Sequence, residues 1–375
     1  MILSGFYFWH FSTVAVFIAF FSLYVKHLGL SSLEISLLAM LHPLSRVLWP
    51  PLWGGLADRT GRRDRVAAGA SIAGTACFAA YFFADHFITL FIAQLVFTFF
   101  WSTVLPLIET TTLEQASRGR IDYGRSRMWG SVGFIVASLA LGPVLDRMGI
   151  RFSLWAIFAL LCLSSLSASL APRPIGEIPR ARGSIIAFLR RPGVGLFFLI
   201  GFLCQLSHAT LYNFFSIHLS AVGYSNEAIG FLWAFGVICE VPVIRWSSRL
   251  LDQFRREQLM TFALCVATIR WSITAITTAY PLLLLAQGMH AITFGLFHVA
   301  AVTHTFAIVP HNLRSRGQTL YSALSFGAGL SVGMLLSGTF YDRVGPAACF
   351  AASAGVALTA ALLSLRLPRQ TPRAA

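Results

Sequence analysis

Charge is scarce in this 375-residue chain: Asp, Glu, Lys and Arg make up 11% of it, while 57% is hydrophobic. Soluble domains average about 25% charged residues, so the shortfall excludes a string of water-soluble domains. Catalytic signatures are missing too. There is no H-E-x-x-H, no nucleophile elbow and no phosphate loop, which removes sequence support for an enzyme. No soluble output domain suggests a sensor, and the internal segment Pro310-His311-Asn312 and the tail after Pro368 are too short to signal much. A cleavable leader is also lacking: the first apolar segment starts almost at Met1, is long, and has no small-residue cleavage site. Six cysteines (Cys77, Cys162, Cys204, Cys239, Cys265 and Cys349) all fall in apolar stretches without a C-x-x-C spacing. They read as small buried apolar residues, so no disulfide, metal or cofactor is expected.

What the chain has is apolar length. Mean hydropathy is +0.73 and there are 33 Phe. Spanning about 30 Å of hydrocarbon takes about 20 apolar residues as a helix, and without water only helices or closed barrels satisfy the backbone. Twelve spans are expected: 4–26, 34–57, 66–84, 87–112, 125–145, 150–171, 194–219, 226–248, 257–277, 281–306, 317–341 and 345–367. The fold expected is an all-α membrane protein.

The formal net charge of +14 follows topology rather than a nucleic-acid surface, and no nucleic-acid partner is expected. With a cytoplasmic N-terminus, 21 of the 28 basic residues lie in cytoplasmic connections or the tail, and only Lys26, Arg147, Arg151 and Arg343 lie outside. The positive-inside rule then places both termini in the cytoplasm.

The chain repeats itself. Gly142-Pro-Val-Leu-Asp146-Arg147-Met-Gly149 returns as Gly338-Thr-Phe-Tyr-Asp342-Arg343-Val-Gly345, an offset of 196. Arg118 and Arg120 map onto Arg314 and Arg316 by the same offset. Gly29, Ser31, Ile35 and Leu38 map onto Gly223, Ser225, Ile229 and Leu232 at 194. The expected organisation is a six-helix half (1–171), a Pro- and Arg-rich cytoplasmic linker (172–193), a second six-helix half (194–367) and a short tail (368–375). Two like-oriented halves are parallel repeats, an architecture of alternating-access transporters.

Ionisable groups inside the spans stand out, because each costs about 2.5–3.5 kcal/mol on insertion scales and by default marks a substrate or proton path. The most informative are Arg46, Glu109, Arg127, Glu240, Arg245, Arg270 and His290. Arg245 is near the cytoplasmic end, within snorkelling range; Arg46 is too deep for that. Arg outnumbers Glu in this set, which suits an anionic substrate, and the Phe and Trp content suits an aromatic one.

Between the second and third spans runs Gly54-Gly55-Leu56-Ala57-Asp58-Arg59-Thr60-Gly61-Arg62-Arg63. It resembles the signature loop of the major facilitator superfamily, G-x-L-A-D-R-x-G-R-R. The resemblance implies a gating loop of Gly54, Asp58, Arg59, Gly61, Arg62 and Arg63, with Asp58 as a conformational latch; the alternative is a plain positive-inside loop. Asp122-Tyr-Gly-Arg125-Ser-Arg127-Met-Trp-Gly130 is similar to the fourth-to-fifth helix region of lactose permease and its relatives. There a Glu and an Arg eighteen positions later bind ligand, which implies that role for Glu109 and Arg127. Phe134 stands where that group has a sugar-stacking Trp, and disfavours a galactoside. On charge alone, Arg125 and Arg127 anchor a helix end and Glu109 snorkels.

In the second half the same group has Glu, Arg and His on three successive helices as its coupling network. This implies Glu240, Arg270 and His290 here, with Glu240 as the carboxylate that a buried Arg270 requires. The family's proton-carrying Glu is Thr293 in this chain, so Glu240 or Glu109 must titrate, assisted by His290 or His298. A lone intramembrane His is more often structural, and that reading covers His208, His298 and His304. Along nearly its whole length the chain resembles the phenylpropionic acid permease branch of the superfamily, on Asp122–Gly130, His208–Tyr212, Gly223-Tyr224-Ser225, Gly236–Glu240, Arg270-Trp271 and His290–His298; that branch also has an Arg near Arg46. The expectation is a monomeric, multi-pass, bacterial-type inner-membrane symporter whose partners are protons, lipid and a small aromatic carboxylate. That substrate would be held by Arg46, Glu109, Arg127, Phe134 and Arg270. A sugar or nucleoside symporter and an efflux antiporter are the alternatives.

Overall fold

A computed structural model describes residues 1–174 and 188–368. Most of the linker 172–193 and nearly all of the tail 368–375 thus lie outside the described residues. Regular structure among them is helical, without strands. Ten helical stretches are long and apolar enough to cross a membrane. The helices are α1 (Ile2–His27), α2 (Ser32–Leu48), α3 (Pro50–Thr60), α4 (Arg63–Phe83), α5 (Phe87–Ser117), α6 (Tyr123–Met148) and α7 (Phe152–Ser169). They continue with α8 (Val194–Ala221), α9 (Asn226–Gln253), α10 (Arg256–Ile276), α11 (Tyr280–Ile308) and α12 (Arg316–Ser364).

The expected span 34–57 is broken between α2 and α3, because Pro50 and Pro51 cannot supply the N–H groups that would continue the ladder. The expected spans 317–341 and 345–367 fall in one 49-residue helical run. Gly345, at φ 80° and followed by Pro346, kinks it. Three single π-turns interrupt the helices: Phe17–Phe21 in α1, Ala291–Leu296 in α11 and Ala323–Gly329 in α12. Such bulges are frequent at functional sites.

Polarity is arranged for lipid. Gln94, Thr98, Ser138, Gln205 and His208 are fully buried, while Ile72, Ile88, Trp155 and Ile276 are exposed. A water-soluble protein of this size seldom exposes apolar side chains on that scale. Polar side chains bind helices together inside, as expected where lipid gives no hydrophobic drive. Ser165 of α7 bonds Ser71 and Thr75 of α4, both at 2.8 Å. Thr210 of α8 bonds Ser353 of α12 at 2.9 Å, and Thr261 of α10 bonds Ser364 at 2.7 Å.

The chain divides into two compact units, Met1–Ile178 with Asn213–Ala234, and Pro179–Tyr212 with Phe235–Ala375. In the first unit α1 packs on α6 and α7, and α4 on α5; in the second α10 packs on α12. The first unit therefore includes the end of α8 and the start of α9. Asp146, at the end of α6, accepts from the backbone N–H of Asn226 and Glu227 at 2.8 and 3.0 Å and from the Asn226 side chain at 2.8 Å. It thereby caps the exposed donors that begin α9.

The sequence repeat carries repeated local geometry. Gly149 and Gly345 both have φ near +80°, and Gly29 and Gly223 near +90°. Helix crossings repeat too: a Cβ on Gly133 would meet the Phe8 carbonyl oxygen at 2.2 Å, and one on Gly329 the Phe202 carbonyl oxygen at 2.5 Å. Both sites therefore require glycine for backbone approach. Gly133→Val and Gly329→Val are each expected to cost at least about 1–3 kcal/mol by overpacking. Helical Gly195, with open space around its Cα, is expected to tolerate Ala or gain up to about 1 kcal/mol. Thermal unfolding of the purified protein checks this; equal melting temperatures for Gly133→Val and Gly195→Ala would contradict it.

Candidate functional site

In the first unit, α5 and α6 bring Glu109 and Arg127 together. The Arg127 Nε lies 3.8 Å from Glu109 Oε1, and each side chain is about one-third exposed, at 34%. Tyr123 donates to Glu109 Oε1 at 2.9 Å. The guanidinium lies 4.1 Å from the centre of the Phe11 ring and 5.5 Å from that of Tyr7. Gly130, one turn on, makes room: a Cβ there would meet Arg127 Nη1 and Phe11, both at 2.8 Å. The contact to Glu109 is long and single, so most of the guanidinium's five donors are available to a ligand. A pair this exposed stabilises the fold little.

Arg46 projects from α2 as an exposed side chain, and its charge acts on His10 and His42. Phe134 is buried in α6. Around Trp101 of α5, sequence reasoning missed a ring cluster. His10 stacks on Trp101 at 4.9 Å, and His42 meets it edge-on at 5.4 Å. The signal was present in two histidines inside apolar runs, but a lone histidine carries little weight without its neighbours.

In the second unit, α10 and α11 build the site. Arg270 is 1% exposed. It donates to Gln287 Oε1 and Thr293 Oγ1, both at 3.0 Å, bonds His290 Nδ1 at 3.2 Å, and lies 4.5 Å over the Trp271 ring. This corrects one expectation: no carboxylate pairs with Arg270 among the described residues. Neutral acceptors and a π face meet the guanidinium fork instead. Thr293 also finds its reason here. Standing where the related symporters have a carboxylate, it keeps a hydrogen bond to the arginine without a titratable group. Gln287 was not foreseen; only the turn-spacing of 287, 290 and 293–294 along α11 hints at it.

Glu240 is half-buried on α9. It packs where α11 lacks a side chain, since a Cβ on Gly295, inside the π-turn, would lie 2.9 Å from Glu240 Cγ. His290 stacks on Phe294 at 5.0 Å, and Phe294 on His298 at 6.1 Å. His298 in turn faces Tyr321 and Phe326 of α12. His208 is locked by its Nδ1 contact to the Cys204 carbonyl at 2.8 Å. His304 sits 3.3 Å from buried Glu257.

The loop singled out for gating is arranged as follows. Gly61 ends α3 at φ 64°. Arg62 pairs bidentately with Asp64 at 3.1 and 2.9 Å. Arg63 is buried 3.8 Å from Glu114 Oε2. Gly54 is half-buried, with Asp58 and Arg59 exposed on the last turn of α3.

Helices that expose apolar side chains and carry guanidiniums, carboxylates and imidazoles within apolar stretches fit a multi-pass membrane transporter. The model of the MFS_1 like family matches residues 1–352. The chain belongs to that family. It is 30% identical over 353 residues to the probable 3-phenylpropionic acid transporter of Escherichia coli (strain K12), covering 90% of each. It is 24% identical to the maltose permease of Geobacillus stearothermophilus, covering 90% of this chain and 86% of that one. A point mutant of the nucleoside transporter NupG superposes with a TM-score of 0.86 over 98% of both chains at 18% identity, which shows the fold. These relatives are transporters, and so is this chain; it is not an enzyme.

The Arg270 cradle makes a prediction. Thr293→Val leaves one donor of a buried cation unmet and is expected to cost about 1–3 kcal/mol, whereas Thr293→Ser is expected to cost far less. Equal losses in thermal unfolding of the two variants would remove the hydrogen bond from the account.

Proposed function

We propose that this chain imports a small aromatic carboxylate, of the phenylpropionate kind, together with protons. In this reading it has twelve membrane-spanning helices in two parallel six-helix halves, both termini cytoplasmic, and works as a monomer in a bacterial inner membrane by alternating access. The observation that carries it is Arg270. A fully buried cation without a carboxylate partner among the described residues is electrostatically incomplete, and a site of that kind favours an anion. Arg46 and Arg127 add guanidiniums able to grip a carboxylate bidentately, and the rings beside them suit an aromatic body. The 30% identical relative's name agrees with this reading. In this reading Glu240 or Glu109 carries the proton, assisted by His290 or His298, and Asp58 serves as the latch of the gating loop.

The maltose permease likeness and the partly open Glu109–Arg127 pair, able to bind a hydroxyl pair, favour a second reading, a sugar or nucleoside symporter. Radiolabelled uptake into proteoliposomes decides. With an imposed inward proton gradient, accumulation of 3-phenylpropionate is expected to exceed that without a gradient, and maltose and nucleosides are expected to stay at background. Gradient-driven accumulation of a neutral sugar or nucleoside alone would overturn the carboxylate reading. Accumulation only against an outward gradient would make the protein an efflux antiporter. Arg46→Gln is expected to raise the KM for the acid at least about tenfold, the loss of one charge-assisted hydrogen bond of about 1.5–3 kcal/mol; an unchanged KM would remove Arg46 from the site.

A further inference from the structure

His10 Nδ1, His42 Nε2 and Trp101 Nε1 are each shut off from solvent, and none has a hydrogen-bond partner among the described residues. They come from three helices of one unit, α1, α2 and α5, and gather on one indole: His10 stacks on Trp101 at 4.9 Å and 21°, and His42 stands against it at 5.4 Å and 78°. Phe97 stacks on the same indole at 5.4 Å, and Phe17 lies 4.8 Å from the His42 ring. His10 is 2% exposed and Trp101 6%.

Three other indoles of the chain are paired. Trp53 donates to the Phe99 carbonyl at 3.0 Å, Trp233 to Ser216 at 2.9 Å and Trp271 to Ser207 at 3.4 Å. Buried nitrogens are normally paired, and each exception calls for an explanation. Three exceptions in one aromatic cluster are not accounted for by packing, since phenylalanine fills such space without leaving a polar atom unmet.

We propose that these three residues form a subsite that reads a hydroxyl group on the ring of an aromatic acid. The inference rests on the aromatic-carboxylate reading above and narrows it to hydroxylated aromatic acids. An indole N–H only donates, while a neutral imidazole nitrogen donates or accepts according to tautomer. A phenolic hydroxyl donates once and accepts twice. Its hydrogen-bonding capacity thus matches that of the three nitrogens together: two donors to accept from, Trp101 and one histidine, and one acceptor, the other histidine. A bare ring edge meets none of them. The same unit supplies the acid's other end, because the charge of Arg46 acts on both histidines and that of Arg127 on His10. The ring between the two ends lies among Phe17, Phe97 and Trp101, which offer the edge and face contacts that aromatic rings prefer. Phe17 opens the π-turn of α1, the kind of helix defect that recurs at binding sites.

Calorimetric titration of the full-length purified protein with two matched sets tests this. One set is 3-phenylpropionate and its ortho, meta and para ring-hydroxylated forms. The other is neutral 2-phenylethanol and its ring-hydroxylated forms. The wild type is expected to bind one hydroxylated acid at least about tenfold more tightly than the parent acid, the yield of one satisfied buried hydrogen bond or more. Trp101→Phe and His42→Phe are each expected to reduce that preference to about twofold or less, with the parent acid's Kd changed less than about threefold. The wild-type panel decides even if a variant does not fold. Acids bound without a hydroxyl preference overturn the subsite and leave the carboxylate reading standing. A hydroxyl preference in the neutral set with no binding of any acid does the reverse. Preference that survives both substitutions, or no binding in either set, overturns the subsite.

Discussion

Arg270 lies at membrane depth with Gln287, Thr293, His290 and the face of Trp271 around it. Transferring an ion of that size out of water is expensive even after relaxation, and neutral acceptors repay only part of it. The fold around it answers that requirement. Trp271 is itself fully buried beneath the guanidinium, and α11 presents three acceptors on one face through a helix that loosens into a π-turn just beyond His290. The same π-turn holds Gly295, which packs against Glu240. Among the described residues the neutral shell supplies no counter-charge, and the proposal of an anionic substrate rests on that.

The two units solve the ionic problem differently. In the first, Arg127 and Glu109 keep each other company at 3.8 Å while staying partly open, an arrangement with donors to spare. In the second, the arginine is closed in and its donors are in use. Polar side chains otherwise serve as cement between helices, as Ser165 does for α4 and α7 and Thr210 for α8 and α12. The polar atoms around Trp101 serve neither as cement nor as pairs, and the proposed hydroxyl subsite rests on them.

The parts of this molecule that follow from local rules were legible in the sequence. Hydropathy gave the all-helical class because lipid favours helix, although ten stretches among the described residues, not twelve, are long and apolar enough to cross a membrane. The repeat was legible because both copies need glycine at the same backbone angles, Gly149 with Gly345 and Gly29 with Gly223. The proximity of Glu109 and Arg127 followed from a family-like spacing. What was not legible depends on which helix faces which. The sequence offers Glu240 as the natural partner of Arg270, but helix placement puts neutral side chains there instead. His10, His42 and Trp101 are 32 to 91 residues apart in the chain, and nothing local ties them together. The break at Pro50 and Pro51 was readable in principle, since proline cannot donate, but a hydropathy window averages over it.

The central claim is that the intramembrane arginines await an anion. It is tested most directly by comparing the affinities of the purified protein for 3-phenylpropionate and for 3-phenylpropionamide, which has the same shape without the charge. The account predicts that the acid binds at least about a hundredfold more tightly, as expected for one or two charge-assisted hydrogen bonds to guanidinium. Equal affinities, or a preference for the amide, would contradict it.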